Sequence, residues 1–204
     1  MPELQSFSTT GTAGHLEGVV HVPKLEPKCI AVVCHPLPTM GGTMDNKVAV
    51  TLAKTFTELG CVALRFNYRG VGASEGDFTG GDGELEDALT VTEFAREQFG
   101  DLPLILSGFS FGGYIAARAA ERLKPRHLIL AAPAVGRFAM PPVPAGTLVI
   151  HGEKDDVVPL VDAFEWARPQ HLPIIVLPEA EHYFHGRLTQ LRDIVKQHFT
   201  GVAL

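Results

Sequence analysis

Two kinds of segment alternate along this chain, and their order predicts the fold. Short, continuous apolar runs rich in valine, isoleucine and leucine are typical of strands buried on both faces of a parallel sheet. The stretches between them have the amphipathic spacing of helices that pack on one side. The apolar runs fall at 29–34, 61–66, 102–107, 127–132, 146–151 and 172–177, and the amphipathic stretches at about 45–59, 84–98, 112–123, 159–168 and 186–199.

The first residues have a different pattern. Residues 3–9 and 15–22 alternate on either side of a turn at 10–14, which predicts an antiparallel hairpin. The later alternation of strand and helix predicts an α/β fold with a mostly parallel sheet and helices on both faces. Because no internal repeat, charge block or linker interrupts the pattern, we interpret 1–204 as a single domain.

Composition and charge narrow the function classes. A formal net charge of -6 argues against nucleic-acid binding. Residues 1–6 have neither a basic nor an apolar region, so no signal peptide is expected, and no apolar run is long enough to span a bilayer. Cys29, Cys34 and Cys61 lie on predicted core strands, and their odd number favours reduced thiols in a cytoplasmic protein. They lack zinc-ligand spacing, so we expect no metal.

The sharpest motif is Gly-x-Ser-x-Gly at 108–112. A buried strand precedes it and an alanine-rich helix follows, which is the context in which such a serine is a nucleophile. Gly108 and Gly112 would leave room for the strained turn that presents Ser110, and the helix N-terminus would favour a developing oxyanion. Ser107 and Ser74 are poorer candidates, since Ser107 has no glycines at these offsets and Ser74 lies in a loop.

A candidate acid and base follow in the order that this chemistry uses in α/β sheets. The run 146–151 leads into an acidic loop, in which we prefer Asp155 to Asp156 as the carboxylate. The run 172–177 leads into a loop in which we prefer His182 to His185, because His185 abuts the last helix. His151 and His171 are interpreted as core or surface residues.

The loop at 35–42 is a candidate oxyanion site. Because Pro36 has no N–H, Leu37 would donate one backbone hydrogen bond to the oxyanion and Phe111 the other. Met40 and Phe109 would contact the substrate at an apolar rim. The alternative is a proline-stiffened connection with ordinary aromatic packing.

These motifs resemble the α/β-hydrolase superfamily over essentially the whole chain, and within it small lidless hydrolases related to dienelactone hydrolases and acyl-thioesterases. The resemblance implies a catalytic triad of Ser110, Asp155 and His182, and a structural role for Arg69 and Gly70. Ser110 stands where dienelactone hydrolases have cysteine, so lactone hydrolysis is not implied. His35-Pro36 departs from the usual His-Gly. The matching segments are 35–38, 41–42, 66–72, 108–112, 152–155 and 182–185.

Only residues 133–145 separate two predicted strands where many relatives insert a cap, so we expect no cap domain and an open, shallow site. The predicted function is hydrolysis of carboxylic ester or thioester bonds of small acyl substrates through an acyl-enzyme, without a cofactor, in a monomer or homodimer. A non-catalytic binding module and a peptidase of the same fold are the alternatives. The glycines at 70–76 do not fit a dinucleotide loop.

Overall fold

A computed structural model describes residues 3–201. Residues 1–2 and 202–204 lie outside the described residues, so both ends of the predicted domain 1–204 and the first two residues of the segment considered for a signal peptide are not covered. The strands are β1 Glu3–Gly11, β2 Gly14–Val22, β3 Cys29–Cys34, β4 Cys61–Phe66, β5 Leu104–Phe109, β6 His127–Ala131, β7 Leu148–Gly152 and β8 Ile174–Leu177. The helices are α1 Lys47–Glu58, α2 Asp82–Phe99, α3 Phe111–Leu123, α4 Leu160–Ala167 and α5 Leu188–His198.

All eight strands belong to one sheet, in the order β1-β2-β4-β3-β5-β6-β7-β8. The leading hairpin is antiparallel and β2 pairs antiparallel with β4, whereas every later pairing is parallel. The predicted hairpin and mostly parallel sheet are therefore confirmed. The carboxyl ends of β5, β7 and β8 lie at the same edge, where ligand sites of such sheets form.

Alternating side chains of the central strands enter separate apolar layers. On β3, Ile30 and Val32 pack in one layer with α2 and α3. Ala31 and Val33 pack in the other with α1 and α5. This arrangement explains why the central strands have continuous apolar sequences, because both of their faces are covered by helices.

Several element boundaries differ from the sequence-based ones, and three of them have a clear local reason. β5 and β8 begin only after Pro103 and Pro173, which cannot donate a ladder hydrogen bond. α2 begins at Asp82, two residues earlier than predicted, because the Glu84 carboxylate accepts the Gly81 N–H at 2.6 Å and caps the helix. The run ending in β8 was expected to be buried on both faces, but β8 is the edge strand and Ile175 is 41% exposed.

The cysteine prediction was wrong for two of the three residues. Cys29 and Cys61 are direct partners in the register of β3 and β4 and form a disulfide, with a Cα–Cα distance of 4.6 Å. Cys34 is free and buried. Register between two separate strands decided this pairing, and spacing along the chain does not reveal register. The cytoplasmic location inferred from reduced thiols stays a prediction that has lost this support.

No cap domain is inserted between β6 and β7. The segment 132–147 that joins them contains neither helix nor strand, as predicted. Across residues 3–201, no helix combines the length and apolarity needed to cross a bilayer.

Candidate active site

Ser110 occupies a strained turn between β5 and α3. Its backbone has φ 55° and ψ −119°, a left-handed φ that residues other than glycine seldom adopt. The surroundings hold this conformation in place: the Ser110 N–H donates to Ala131 O at 3.0 Å, and Ser110 O accepts the Ala134 N–H at 3.1 Å. The turn therefore presents Oγ at the strand end from a fixed backbone.

The two flanking glycines are required by close backbone approach. A Cβ on Gly108 would lie 2.0 Å from Gly112 O, and one on Gly112 would lie 2.1 Å from Cys34 O. Such contacts are well inside van der Waals distance, so any side chain would push α3 away from the strand ends. The predicted steric reason for both glycines is found in the structure.

Ser110, His182 and Asp155 form one chain of hydrogen bonds. His182 Nε2 lies 3.0 Å from Ser110 Oγ, and its Nδ1 lies 2.7 Å from Asp155 Oδ2. A carboxylate only accepts hydrogen bonds, so Nδ1 carries the proton and the lone pair of Nε2 faces the serine hydroxyl. Ser110 is 7% exposed and His182 2% exposed, and both residues line one cavity.

The backbone selects Asp155 over its neighbour. Asp155 Oδ1 accepts the N–H groups of Val157 at 3.0 Å and Val158 at 2.7 Å, which fixes the carboxylate while Oδ2 faces the imidazole. Asp156 is exposed. His185, the alternative base, is also exposed, and its nearest carboxylate is that of Glu181, 3.8 Å away.

The loop at 153–159, which carries Asp155 (the acid loop), contacts the loop at 178–187, which carries His182 (the histidine loop). The Lys154 N–H donates to Ala180 O at 2.9 Å, and a Cβ on Gly152 would lie 2.4 Å from the same oxygen. Gly152 is thus needed for the loops to meet. This contact sets the separation of Asp155 and His182.

The two residues predicted to donate to the oxyanion line one cavity. Leu37 and Phe111 both line it beside Ser110. Phe111 is the first residue of α3, so its N–H has no partner within the helix. Leu37 is held by a tight turn, in which its carbonyl accepts the N–H groups of Met40 and Gly42.

His35 anchors this loop from beneath. Its Nδ1–H donates to Pro36 O at 2.7 Å, and its Nε2 accepts the Tyr68 N–H at 3.2 Å. Burial lowers the pKa of His35 to about 3, so the ring is neutral and can accept and donate at the same time. His35 therefore stabilises the loop and takes no part in proton transfer.

The cavity at this edge is small, with a volume of about 60 Å³. Met40 lies at its mouth and is 57% exposed. Phe109 was expected to contact the substrate, but it is completely buried and does not line the cavity. As the last residue of β5 it points into the core, where its ring packs 4.9 Å from the His182 ring. The lining residues are Pro36, Leu37, Met40, Gly41, Gly42, Asn46, Ser110, Phe111, Ala134, Arg137, Phe138, Val157, His182 and Tyr183.

Sequence reasoning missed the role of His151. It is fully buried, its Nε2–H donates to Val158 O at 2.8 Å, and the same nitrogen lies 3.4 Å from Asp155 Oδ2. Burial lowers its pKa, which favours the neutral ring. His151 therefore holds the acid loop at the carboxylate. A polar residue at the end of an otherwise apolar strand was the signal that could have identified it. Arg137 and Tyr183 gave no comparable signal.

The loop after β4 is structural, as the resemblance implied. Arg69 Nη2 lies 2.7 Å from Asp87 Oδ1 on α2, and the backbone N–H of Arg69 donates to Asp87 Oδ2 at 2.9 Å. Arg69 Nη2 also donates to Thr12 Oγ1 of the leading turn at 3.0 Å. These bonds tie the hairpin, the loop and α2 together outside the cavity.

The chain was compared with known protein families and proteins. Residues 26–145 match the model of the family described as serine aminopeptidase, S33. An uncharacterised protein of Rickettsia prowazekii is 27% identical over 207 residues, covering 94% of this chain and 87% of its own length. A lysophosphatidylserine lipase of Danio rerio is 34% identical over 97 residues, which cover 45% of this chain and 25% of that protein.

Solved structures are more similar. The crystal structure of an α/β serine hydrolase without a lid, from Xanthomonas campestris, superposes with a TM-score of 0.92 at 38% identity, covering 97% of this chain and 94% of its own. An α/β serine hydrolase homologue from Coxiella burnetii gives a TM-score of 0.90 at 37% identity, with coverage of 98% and 99%.

Proposed function

The chain belongs to the α/β-hydrolase superfamily, in the family described as serine aminopeptidase, S33, and from this premise we propose that it hydrolyses carboxylic ester or thioester bonds of small acyl substrates. Ser110 is the nucleophile, His182 the general base and acid, and Asp155 the carboxylate that orients His182. Leu37 and Phe111 donate to the oxyanion.

One observation carries the proposal. The continuous chain from Asp155 through His182 to Ser110 ends at a cavity that two candidate N–H donors also line. A hydroxyl, a base oriented by a carboxylate, and an oxyanion site are the parts that acyl transfer requires. The strained backbone of Ser110 supports a functional role, because such strain persists where the surrounding structure fixes it for a purpose.

The reaction has two steps. Ser110 Oγ attacks the carbonyl carbon while His182 Nε2 takes its proton, and the oxyanion accepts hydrogen bonds from Leu37 and Phe111. His182 then gives the proton to the leaving alcohol or thiol as that bond breaks, which leaves an acyl-enzyme. Water repeats the sequence: it loses a proton to His182, adds to the acyl carbon, and releases the acid as Ser110 regains its proton.

The cavity favours esters and thioesters over peptides. A volume of about 60 Å³ holds a short acyl group and leaves little surface to grip an extended peptide. Amides also have a poorer leaving group than esters, so an enzyme needs more binding energy from the rest of the substrate to position an amide for cleavage. The name of the Danio rerio relative, a lipase, is in keeping with ester cleavage.

The test is hydrolysis of short-chain p-nitrophenyl esters and acyl-CoA thioesters by the purified protein. We expect Ser110→Ala to lower kcat by about 10⁴-fold or more and to abolish labelling by a fluorophosphonate probe. Ser107→Ala is the matched control, because Ser107 is a buried serine three residues away whose Oγ has no hydrogen-bond partner among residues 3–201. Equal ester hydrolysis by Ser110→Ala and the parent protein would reject the assignment.

The family description also favours a second candidate, an aminopeptidase. Aminoacyl p-nitroanilides distinguish the two, since they are amides with a measurable leaving group. Turnover of anilides without turnover of esters would establish the aminopeptidase and reject the esterase. A serine unreactive toward the fluorophosphonate, with neither substrate class turned over, would favour a non-catalytic binding module.

A further inference from the structure

Arg137 places a cation at the mouth of the active-site cavity. It belongs to the segment 132–147 between β6 and β7, is exposed, and lines the same cavity as Ser110 and His182. No Asp or Glu lines that cavity among the described residues. The part of a substrate that does not fit in so small a cavity lies at the cavity mouth, where Arg137 is one of the exposed lining residues.

The guanidinium of Arg137 has no carboxylate partner within residues 3–201. Its Nη1 contacts Met40 Sδ at 3.6 Å, and a thioether sulfur is only a weak acceptor. The nearby Asp162 carboxylate packs against Gly136, yet no ion pair joins it to Arg137. Seven other arginines differ in this respect, because each forms an ion pair with an Asp or Glu: Arg65, Arg69, Arg96, Arg118, Arg122, Arg168 and Arg192.

We propose that Arg137 binds an anionic group of the substrate, a carboxylate or a phosphate, so that the enzyme acts on small acyl substrates that carry a negative charge. This inference rests on the proposed hydrolase function and specifies its substrate class. A guanidinium presents a planar set of donors that matches either anion with two parallel hydrogen bonds. The cationic mouth also stands out on a chain whose net charge is -6.

The anion can belong to the acyl side or to the leaving group, and two pairs of probe substrates separate these cases. The acyl pair is the p-nitrophenyl monoester of glutaric acid and the p-nitrophenyl ester of glutaramic acid. The leaving-group pair is the acetate ester of para-hydroxybenzoate and that of para-hydroxybenzamide. Within each pair, a carboxamide replaces the carboxylate at nearly constant shape, so the ratio of the two kcat/KM values reports the charge.

We expect the protein to prefer the carboxylate member of at least one pair by about tenfold in kcat/KM, and Arg137→Gln to bring that ratio to about one. Arg137→Lys should retain part of the preference, because lysine keeps the positive charge but lacks the planar set of donors that makes two parallel hydrogen bonds. The preference also falls as ionic strength rises. Arg122→Gln is the matched control: it removes the same charge near the far end of α3, where Arg122 pairs with Glu86, and it leaves the ratio unchanged.

Two results would overturn the inference while leaving the hydrolase function intact: neither pair shows a carboxylate preference, or the preference survives in Arg137→Gln. Equal slowing of both members by Arg137→Gln also counts against it, since the residue would then act only on cavity shape. If the protein turns over no ester in either pair, the proposed function itself has failed, and this inference fails with it.

Discussion

Replacing Asp155 by asparagine tests how the acid loop controls the histidine. Asp155 uses its two oxygens for different tasks: Oδ1 accepts the N–H groups of Val157 and Val158, and Oδ2 accepts the Nδ1–H of His182. An asparagine must keep its carbonyl oxygen toward Val157 and Val158, because its NH₂ there would face two donors. The NH₂ is therefore forced toward His182.

That orientation reverses the tautomer of His182. With an N–H donor in front of it, Nδ1 must accept, so the ring proton moves to Nε2, 3.0 Å from Ser110 Oγ. The imidazole then donates toward the serine and can no longer take its proton. A wrong tautomer of this kind costs about 10⁴-fold in kcat, or about 5.5 kcal/mol of transition-state stabilisation.

The assay is kcat for p-nitrophenyl acetate, with urea unfolding to check the fold. Asp155→Asn keeps the hydrogen bonds to Val157 and Val158, so its free energy of unfolding should change by about 1 kcal/mol or less. Asp156→Asn is the control: it removes a carboxylate one residue away that is exposed, and it should retain full activity. A rate for Asp155→Asn within tenfold of the parent, or a comparable loss in Asp156→Asn, would refute the tautomer argument.

Three further measurements test other parts of the structure. Gly112→Ala places a Cβ 2.1 Å from Cys34 O, so it should destabilise the fold by about 1–3 kcal/mol. It should also lower ester turnover at least 100-fold, which is about the cost of a misplaced reacting group. Gly146→Ala is the control: its Cβ would have nothing within 4 Å, so neither stability nor turnover should change. Titration of thiols in guanidinium without reductant should find one per chain, since Cys29 and Cys61 are bonded; three would disprove the pairing. His35, with a folded pKa of about 3 against about 6.5 when unfolded, binds its proton only in the unfolded state between these values. The parent protein therefore loses stability as pH falls below about 6.5, by about 2 kcal/mol at pH 5. In urea unfolding, the difference in unfolding free energy between the parent and His35→Gln should shrink by that amount from pH 7.5 to 5. A difference that stays constant with pH would contradict the neutral state of His35.

The sequence predicted the fold, and also which candidate site residues lie together, because both depend on local patterns. A strand covered by helices on both faces must be apolar throughout, so β3, β4 and β5 were visible as runs. The turn at Ser110 needs small residues on both sides, so Gly108 and Gly112 identified it. Parallel strands bring their carboxyl ends to one edge, so the loops with Asp155 and His182 were expected to meet there.

What the sequence could not predict depends on register, on position within the sheet, or on the direction of a side chain. The Cys29–Cys61 bond requires the pairing of β3 with β4. The exposure of β8 follows from its place at the edge of the sheet. Phe109 was misassigned because alternation along β5 turns its ring into the core, although it lies directly before Ser110, the proposed nucleophile. Arg137 lies in a connection with no periodic pattern at all.

The absence of a cap changes where the catalytic power of this site can come from. Without a cap, the cavity contacts only a small part of any substrate, so binding alone supplies little energy. The groups proposed to react are instead fixed in advance: Ser110 by its backbone bonds, His182 by Asp155 and the ring of Phe109, and Asp155 by two N–H groups. Because its groups need no rearrangement during the reaction, such a site lowers the barrier of the chemical step. Its affinity for the bound substrate in the ground state stays weak. It should therefore show a high KM for neutral esters, and an ionic contact at the mouth is the most direct way for such a site to distinguish one acyl substrate from another.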